Sequence, residues 1–231
     1  MRRLRKRLAR NTRLLEPIAR MRGWVILPVV GANGTPRRHA LHPAPKTTLQ
    51  APLIVAFHGR EGSPFEFLFT TLPRLAVRRG WWLLCPDRSC AEPDDPGCED
   101  ELLALLAEQR LNSHTPVFGL GFSRGGATAV HLALRHPGIF RAAAAVAGAD
   151  LESTFAAARV ANGTVPIFLS HGCEDRVAPL AESERLATEL VRYGHRTCVE
   201  RVPKLGHDLA VLDLTLPRIL DFFAAEAAET T

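Results

Sequence analysis

Short apolar runs alternate along the chain with longer stretches of helical periodicity. "WVILPVV" (24–30) reads as an early strand, and residues 31–52, crowded with turn formers, as a hairpin turn plus loop. "LIVAF" (53–57) is a short unbroken apolar run, the pattern of a strand buried on both faces. A helix is predicted to open at Ser63, with Pro64 at its first position and Glu66 closing a capping box, and to stop at Gly80. "WWLLCP" (81–86) is the next strand, followed by a loop (87–98) and a leucine-rich helix (99–112). "PVFGLG" (116–121) then predicts a strand and 124–136 a helix. "RAAAAVAGA" (141–149) and "VPIFLSHG" (165–172) are strands with a modest helix between them. A helix over 180–194, a last strand over 196–203 and a last helix over 214–228 complete the pattern.

Strand–helix repetition at this spacing predicts an α/β fold, a mostly parallel twisted sheet covered by helices on both faces. Length adds that one domain suffices, since 231 residues can bury a full core without a second unit. The composition is that of an ordinary globular chain, at 46% hydrophobic and 23% charged. No apolar run approaches the ~18 residues needed to span a bilayer.

Charge changes the picture at one end only. Residues 1–22 hold nine Arg or Lys against the single Glu16, so a net charge of +5 for the whole chain leaves −3 for the remainder. We therefore expect a basic N-terminal extension (1–22) and one domain over 23–231. Leu4, Leu8, Leu15 and Ile18 fall near one helical face, so the extension can form a basic amphipathic helix suited to an anionic surface; a solvated tail is the simpler reading. The arginines interrupt what would be the apolar core of a secretory signal. The five cysteines, Cys85, Cys90, Cys98, Cys173 and Cys198, are odd in number and lack metal-ligand spacing. They read as reduced thiols, with a Cys90–Cys98 bridge as the alternative, and this places the protein in the cytoplasm.

The chemistry concentrates in "GFSRGG" (121–126). Gly121, Gly125 and Gly126 surround Ser123 where the strand turns into the helix, the context in which a serine stands exposed on a sharp reversal. Serine needs a base, and the base needs a carboxylate to orient it. "SHGCEDRVAP" (170–179) puts Asp175 in the loop after one strand, and "KLGHDL" (204–209) puts His207 in the loop after the last strand. Both loops leave carboxyl ends of parallel strands, where such sheets assemble their sites. Glu174 and Asp150 are rivals for the carboxylate, and Asp208 is expected to point elsewhere. His58 and His171, each before a glycine, read as holders of loop shape. Phe65 and Phe69 read as core, and Phe122, beside Ser123, as the phenylalanine placed to contact substrate.

Together "FHGREGS", "GFSRGG", "HGCEDRVAP" and "GHD" resemble the α/β-hydrolase fold over residues 50–225, and more narrowly its small capless esterase-like members, the phospholipase/carboxylesterase and dienelactone hydrolase relatives. The resemblance implies acyl transfer to water: Ser123 attacks an ester or thioester carbonyl, His207 shuttles the proton, and Asp175 orients the imidazole. It implies an oxyanion hole from the backbone N–H groups of Arg60 and Arg124, no cofactor and no metal, and a small-molecule acyl substrate with no nucleic acid. Arg60-Glu61-Gly62 departs from the family's glycine-rich loop, serine replaces the dienelactone hydrolase cysteine, and the first hairpin is expected to be shortened. The 149–165 segment leaves room for one short helix, so no large lid is expected. The alternatives are a serine peptidase of prolyl-oligopeptidase type, for whose extra domain 231 residues leave no room, and a non-catalytic binding protein on the same fold.

Overall fold

A computed structural model describes residues 12–30, 34, 36–44, 51–60, 62–87, 96–108, 115–148, 152–161 and 163–228. In chain order the elements are α1 (Thr12–Met21), β1 (Val25–Val30), β2 (Pro36–His42), β3 (Leu53–Phe57), a 3₁₀ helix (Pro64–Phe69), α2 (Leu72–Arg79), β4 (Trp82–Cys85), α3 (Pro96–Glu108), β5 (Val117–Phe122), α4 (Arg124–Arg135), β6 (Phe140–Val146), α5 (Glu152–Val160), β7 (Ile167–Gly172), α6 (Leu180–Arg192), β8 (Thr197–Val202) and α7 (Leu209–Ala228). Among the described residues they form one eight-stranded sheet in the order β1-β2-β4-β3-β5-β6-β7-β8. The β1–β2 and β2–β4 pairs are antiparallel and the remaining pairs parallel.

Two apolar layers follow from this topology. One face carries α1, the 3₁₀ helix, α2 and α7 around Phe65, Phe67, Phe118, Leu216 and Phe223. The other carries α3 to α6 around Val55, Leu105, Leu132, Phe155 and Leu190. Strands β3 and β5 are buried along their whole length, as their unbroken apolar runs require.

Four features differ from the sequence reading, each for a physical reason. The loop region before residue 50 contains a full strand, β2, paired with β1 from Val25↔Leu41 to Val30↔Pro36, so the first hairpin is not short. Its polar Arg37 and His39 are buried against α3, where Arg37 meets Glu101 at 2.8 Å. The helix predicted from Ser63 to Gly80 is broken in two. Pro73 cannot continue a helix begun at residue 64, because its ring clashes with the carbonyl one turn earlier and it has no N–H. Thr70 is extended, and Thr71 N–H and Oγ1–H both donate to Asp213 Oδ1. Gly80, in the left-handed region at φ 71°, ends α2 as predicted. Helix α7 starts earlier than expected because Asp208 caps it, accepting the Ala210 N–H at 2.8 Å. Finally, α1 is no loose tail: Leu15 and Ala19 are buried in the core while Ile18 faces outward, so residues 12–22 of the basic stretch are packed on the body.

Cys85 is buried and Cys173 and Cys198 are exposed, all as free thiols. The postulated partners Cys90 and Cys98 lie outside the described side chains, as do Asp150 and Glu61. Among the described residues no helix is long and apolar enough to cross a membrane.

Candidate active site

Strand β3 is flanked by β4 on one side and β5 on the other, so the chain reverses its winding direction between β3 and β5. A crevice opens at the carboxyl ends of strands at such a point. Ser123 sits there, one residue beyond β5 and one before α4, at φ 56°. This is left-handed backbone, which costs a residue with a Cβ of order 1–3 kcal/mol. Its N–H is tied to Val146 O at 2.8 Å on the neighbouring strand, which holds the reversal in place.

The flanking glycines serve close approach, and the left-handed dihedral belongs to Ser123 itself. A Cβ at Gly121 would lie 2.0 Å from Gly125 O, and one at Gly125 would lie 2.1 Å from Phe57 O. The amino end of α4 is thereby pressed onto the ends of β5 and β3. Its first N–H groups and the positive end of its dipole face the crevice that holds Ser123.

His207 and Asp175 arrive on two loops that are themselves locked together. Glu174 N–H donates to Leu205 O at 2.8 Å, and a Cβ at Gly172 would lie 2.4 Å from that same oxygen. His207 Nε2 lies 2.9 Å from Ser123 Oγ, and His207 Nδ1 lies 2.7 Å from Asp175 Oδ2. A carboxylate only accepts, so Nδ1 carries the proton, and Nε2 is left to accept from the serine hydroxyl.

Asp175 is held from several sides. Its Oδ1 accepts the N–H groups of Val177 and Ala178 at 2.8 and 2.9 Å. Burial pushes its carboxyl pKa up, but hydrogen bonds from Ala178, His207 and Val177 outweigh that and hold it below the ordinary carboxylate value. His171, fully buried, bonds Ser183 Oγ through Nδ1 and donates from Nε2 to Ala178 O, and the same Nε2 lies 3.2 Å from Asp175 Oδ2. It thus shapes the acid loop, as its position before a glycine suggested. The rival Glu174 is exposed, and Asp208, expected to point elsewhere, caps α7 with its carboxylate.

The loop after β3 completes the crevice. A Cβ at Gly59 would stand 3.4 Å from Ser123 Cβ, so the loop carrying Arg60 abuts the serine. Phe122 is buried at 6% exposure, and its ring lies tilted against the His207 imidazole with centroids 5.1 Å apart. Two contributors escaped the sequence reading. The Val177 and Ala178 N–H groups carry no side-chain signal. Glu66, assigned there to a capping box, also reaches the preceding loop, where its Oε2 accepts the Gly59 N–H at 3.1 Å.

A chain of hydroxyl, imidazole and carboxylate at these distances can strip a proton from the serine and deliver it to a leaving group. Known proteins bear on which reaction it runs. The chain is 29% identical over 166 residues to NocK of Nocardia uniformis subsp. tsuyamanensis, which bears an esterase name; the match takes in 65% of this chain and 48% of that protein, so the chain spans about half the length of this relative. In fold it is similar to an S-formylglutathione hydrolase from Agrobacterium tumefaciens (TM-score 0.69, 17% identity, covering 89% of this chain and 96% of that one). It is equally similar to the fluorophosphonate-binding serine hydrolase FphF from Staphylococcus aureus (TM-score 0.70, 13% identity, 87% and 97%). The model of the phospholipase/carboxylesterase family matches residues 100–221, more than half of the chain and a span that includes Ser123, Asp175 and His207. The chain belongs to this phospholipase/carboxylesterase family, within the α/β-hydrolase fold.

Proposed function

We propose that the protein is a serine hydrolase that cleaves a small ester or thioester through an acyl-enzyme. The observation that carries the reading is the unbroken contact chain Ser123 Oγ, His207, Asp175, anchored on left-handed backbone at the point where the sheet changes winding direction. Ser123 Oγ attacks the carbonyl carbon as His207 Nε2 takes its proton. The imidazolium, steadied by Asp175, returns that proton to the departing alcohol or thiol. Water then repeats the sequence against the acyl-enzyme, releasing the acid and restoring the serine.

The carbonyl oxygen becomes negative twice in each cycle, and the N–H groups of Arg60 and Arg124 are the donors we assign to it. The approach of Gly59 to Ser123 and the position of Arg124 at the start of α4 support that assignment. Phe122, packed on His207 beside the serine, is the side chain we assign to acyl contact. The body over residues 23–231, with α1 docked on it, acts as one catalytic domain.

The test is a chain-length series of p-nitrophenyl esters and acyl-CoA thioesters, run on wild type and Ser123→Ala. Turnover in wild type that disappears in the variant is expected, together with fluorophosphonate labelling of wild type alone. Equal turnover in both overturns Ser123 as the nucleophile, and none in either overturns the reading and returns the chain to the binding-protein alternative.

A further inference from the structure

The loop between β3 and the 3₁₀ helix is clamped by one buried carboxylate that takes no part in proton transfer. Glu66 is 9% exposed, and its Oε2 accepts the Gly59 N–H at 3.1 Å. A Cβ on Gly62 would sit 2.8 Å from that same oxygen, so the loop closes around the carboxylate. The neighbouring peptide is pinned as well. Gly59 O accepts the Gly62 N–H at 3.0 Å and lies 2.8 Å from His58 Nδ1.

In a trans peptide the C=O and the following N–H point in opposite directions within one plane. Fixing Gly59 O on the inside of the turn therefore fixes the Arg60 N–H on its outside, while Glu66 fixes the peptide unit immediately before. Gly59 is also the point where this loop touches Ser123.

From this geometry we propose that Glu66 is a positioning residue for the oxyanion hole: its carboxylate holds the Gly59 peptide so that the Arg60 N–H meets the developing oxyanion. The proposal rests on Ser123 being the nucleophile. Glu66 touches neither substrate nor the reacting atoms. Its effect belongs to the transition state, where a donor displaced by a fraction of an ångström stops stabilising charge.

Two variants separate this from a packing role. Glu66→Gln keeps the shape and an oxygen able to accept from Gly59. Glu66→Met keeps the bulk and removes the acceptor. With p-nitrophenyl acetate, Glu66→Met should lower kcat about tenfold or more while leaving KM within about twofold, and Glu66→Gln should stay within about threefold of wild type. A trifluoromethyl ketone, whose serine adduct carries an oxyanion, should lose affinity for Glu66→Met in parallel with kcat, whereas the product acid should bind as before. A Glu66→Met protein with lowered melting temperature but unchanged kcat and ketone affinity overturns the proposal.

If Glu66→Met does not fold, hydrogen exchange of the Gly59 amide decides. Slow exchange in wild type and in Glu66→Gln supports the clamp, and exchange as fast as in an exposed loop overturns it. Loss of turnover in Ser123→Ala checks the underlying reading separately. Retained turnover there sinks the nucleophile assignment, whatever Glu66 does.

Discussion

Ser123 keeps a left-handed backbone only because its surroundings leave it no other course, and glycines supply the room for those surroundings. A methyl group at Gly125 would lie 2.1 Å from Phe57 O and 2.5 Å from His58 O, both backbone atoms that cannot swing aside. Gly125→Ala must therefore push α4 off β3 and carry Ser123 with it. A shift near 1 Å at a reacting group costs roughly 10²-fold, so kcat/KM on a short ester should fall by about that factor or more. Gly138, whose added methyl would meet nothing within 4 Å, provides the control: Gly138→Ala should leave kcat/KM and melting temperature unchanged. Asp175 makes a different prediction. Its pKa is depressed in the folded state, so its contribution to stability is present above the unfolded carboxylate value and is lost as pH falls through the folded one. Urea midpoints of wild type and Asp175→Asn should differ most at neutral pH and converge in acid; a gap that widens toward acid would contradict the assignment. Turnover by Asp175→Asn should fall by roughly 10⁴, because the amide no longer enforces the proton on His207 Nδ1.

At the level of elements, α1 shows how much of a charged segment can belong to the core. Leu15 is 2% exposed and Ala19 fully buried, while Glu16 reaches both Arg20 and Arg38 and so ties the helix to β2. Leu15→Ala should destabilise by about 2–5 kcal/mol, read as a fall in the urea midpoint with unchanged slope. An unchanged midpoint would show that α1 docks without contributing. This helix, β2 and the paired helices after β3 also mark where the sequence stopped being legible. The apolar runs of β3, β5 and β7 and the glycine-rich elbow between β5 and α4 declare themselves locally, because burial on both faces and a tight glycine turn each impose their own pattern. The polar face of β2 is explained by partners far along the chain, Glu101 against Arg37 and the Asp87 N–H against His39 Nδ1, and α1 is masked by the arginines around Leu15. Glu66 matches a local capping pattern, but its contact with Gly59 in the preceding loop carries no local signal. Pro73 is the local mark of the break: it lies where a continuous helix could not run.

Across the whole molecule, the three loops that carry Ser123, Asp175 and His207 are separated in sequence and joined in space because the parallel strands β5, β7 and β8 end on the same side of one mostly parallel sheet. That side is also where a cap would be inserted, between β6 and β7. Among the described residues that connection holds only α5, nine residues long. Its apolar side is already spent: Phe155, Ala157 and Ala158 are buried in the core layer beside α4 and α6, and Arg185 lies over the Phe155 ring at 4.8 Å. A lid must expose an apolar face in one state and bury it in another, and the described apolar side chains of α5 are, Ala156 apart, already buried. Ser123 and His207 are partly exposed. Dissolved substrate should therefore reach the serine directly. Initial rates on tributyrin should follow a simple saturation curve that passes through the solubility limit without a break. A sharp rise in rate once droplets form would mean that an apolar interface opens the site, and the assignment of α5 as a fixed part of the core would have to be abandoned.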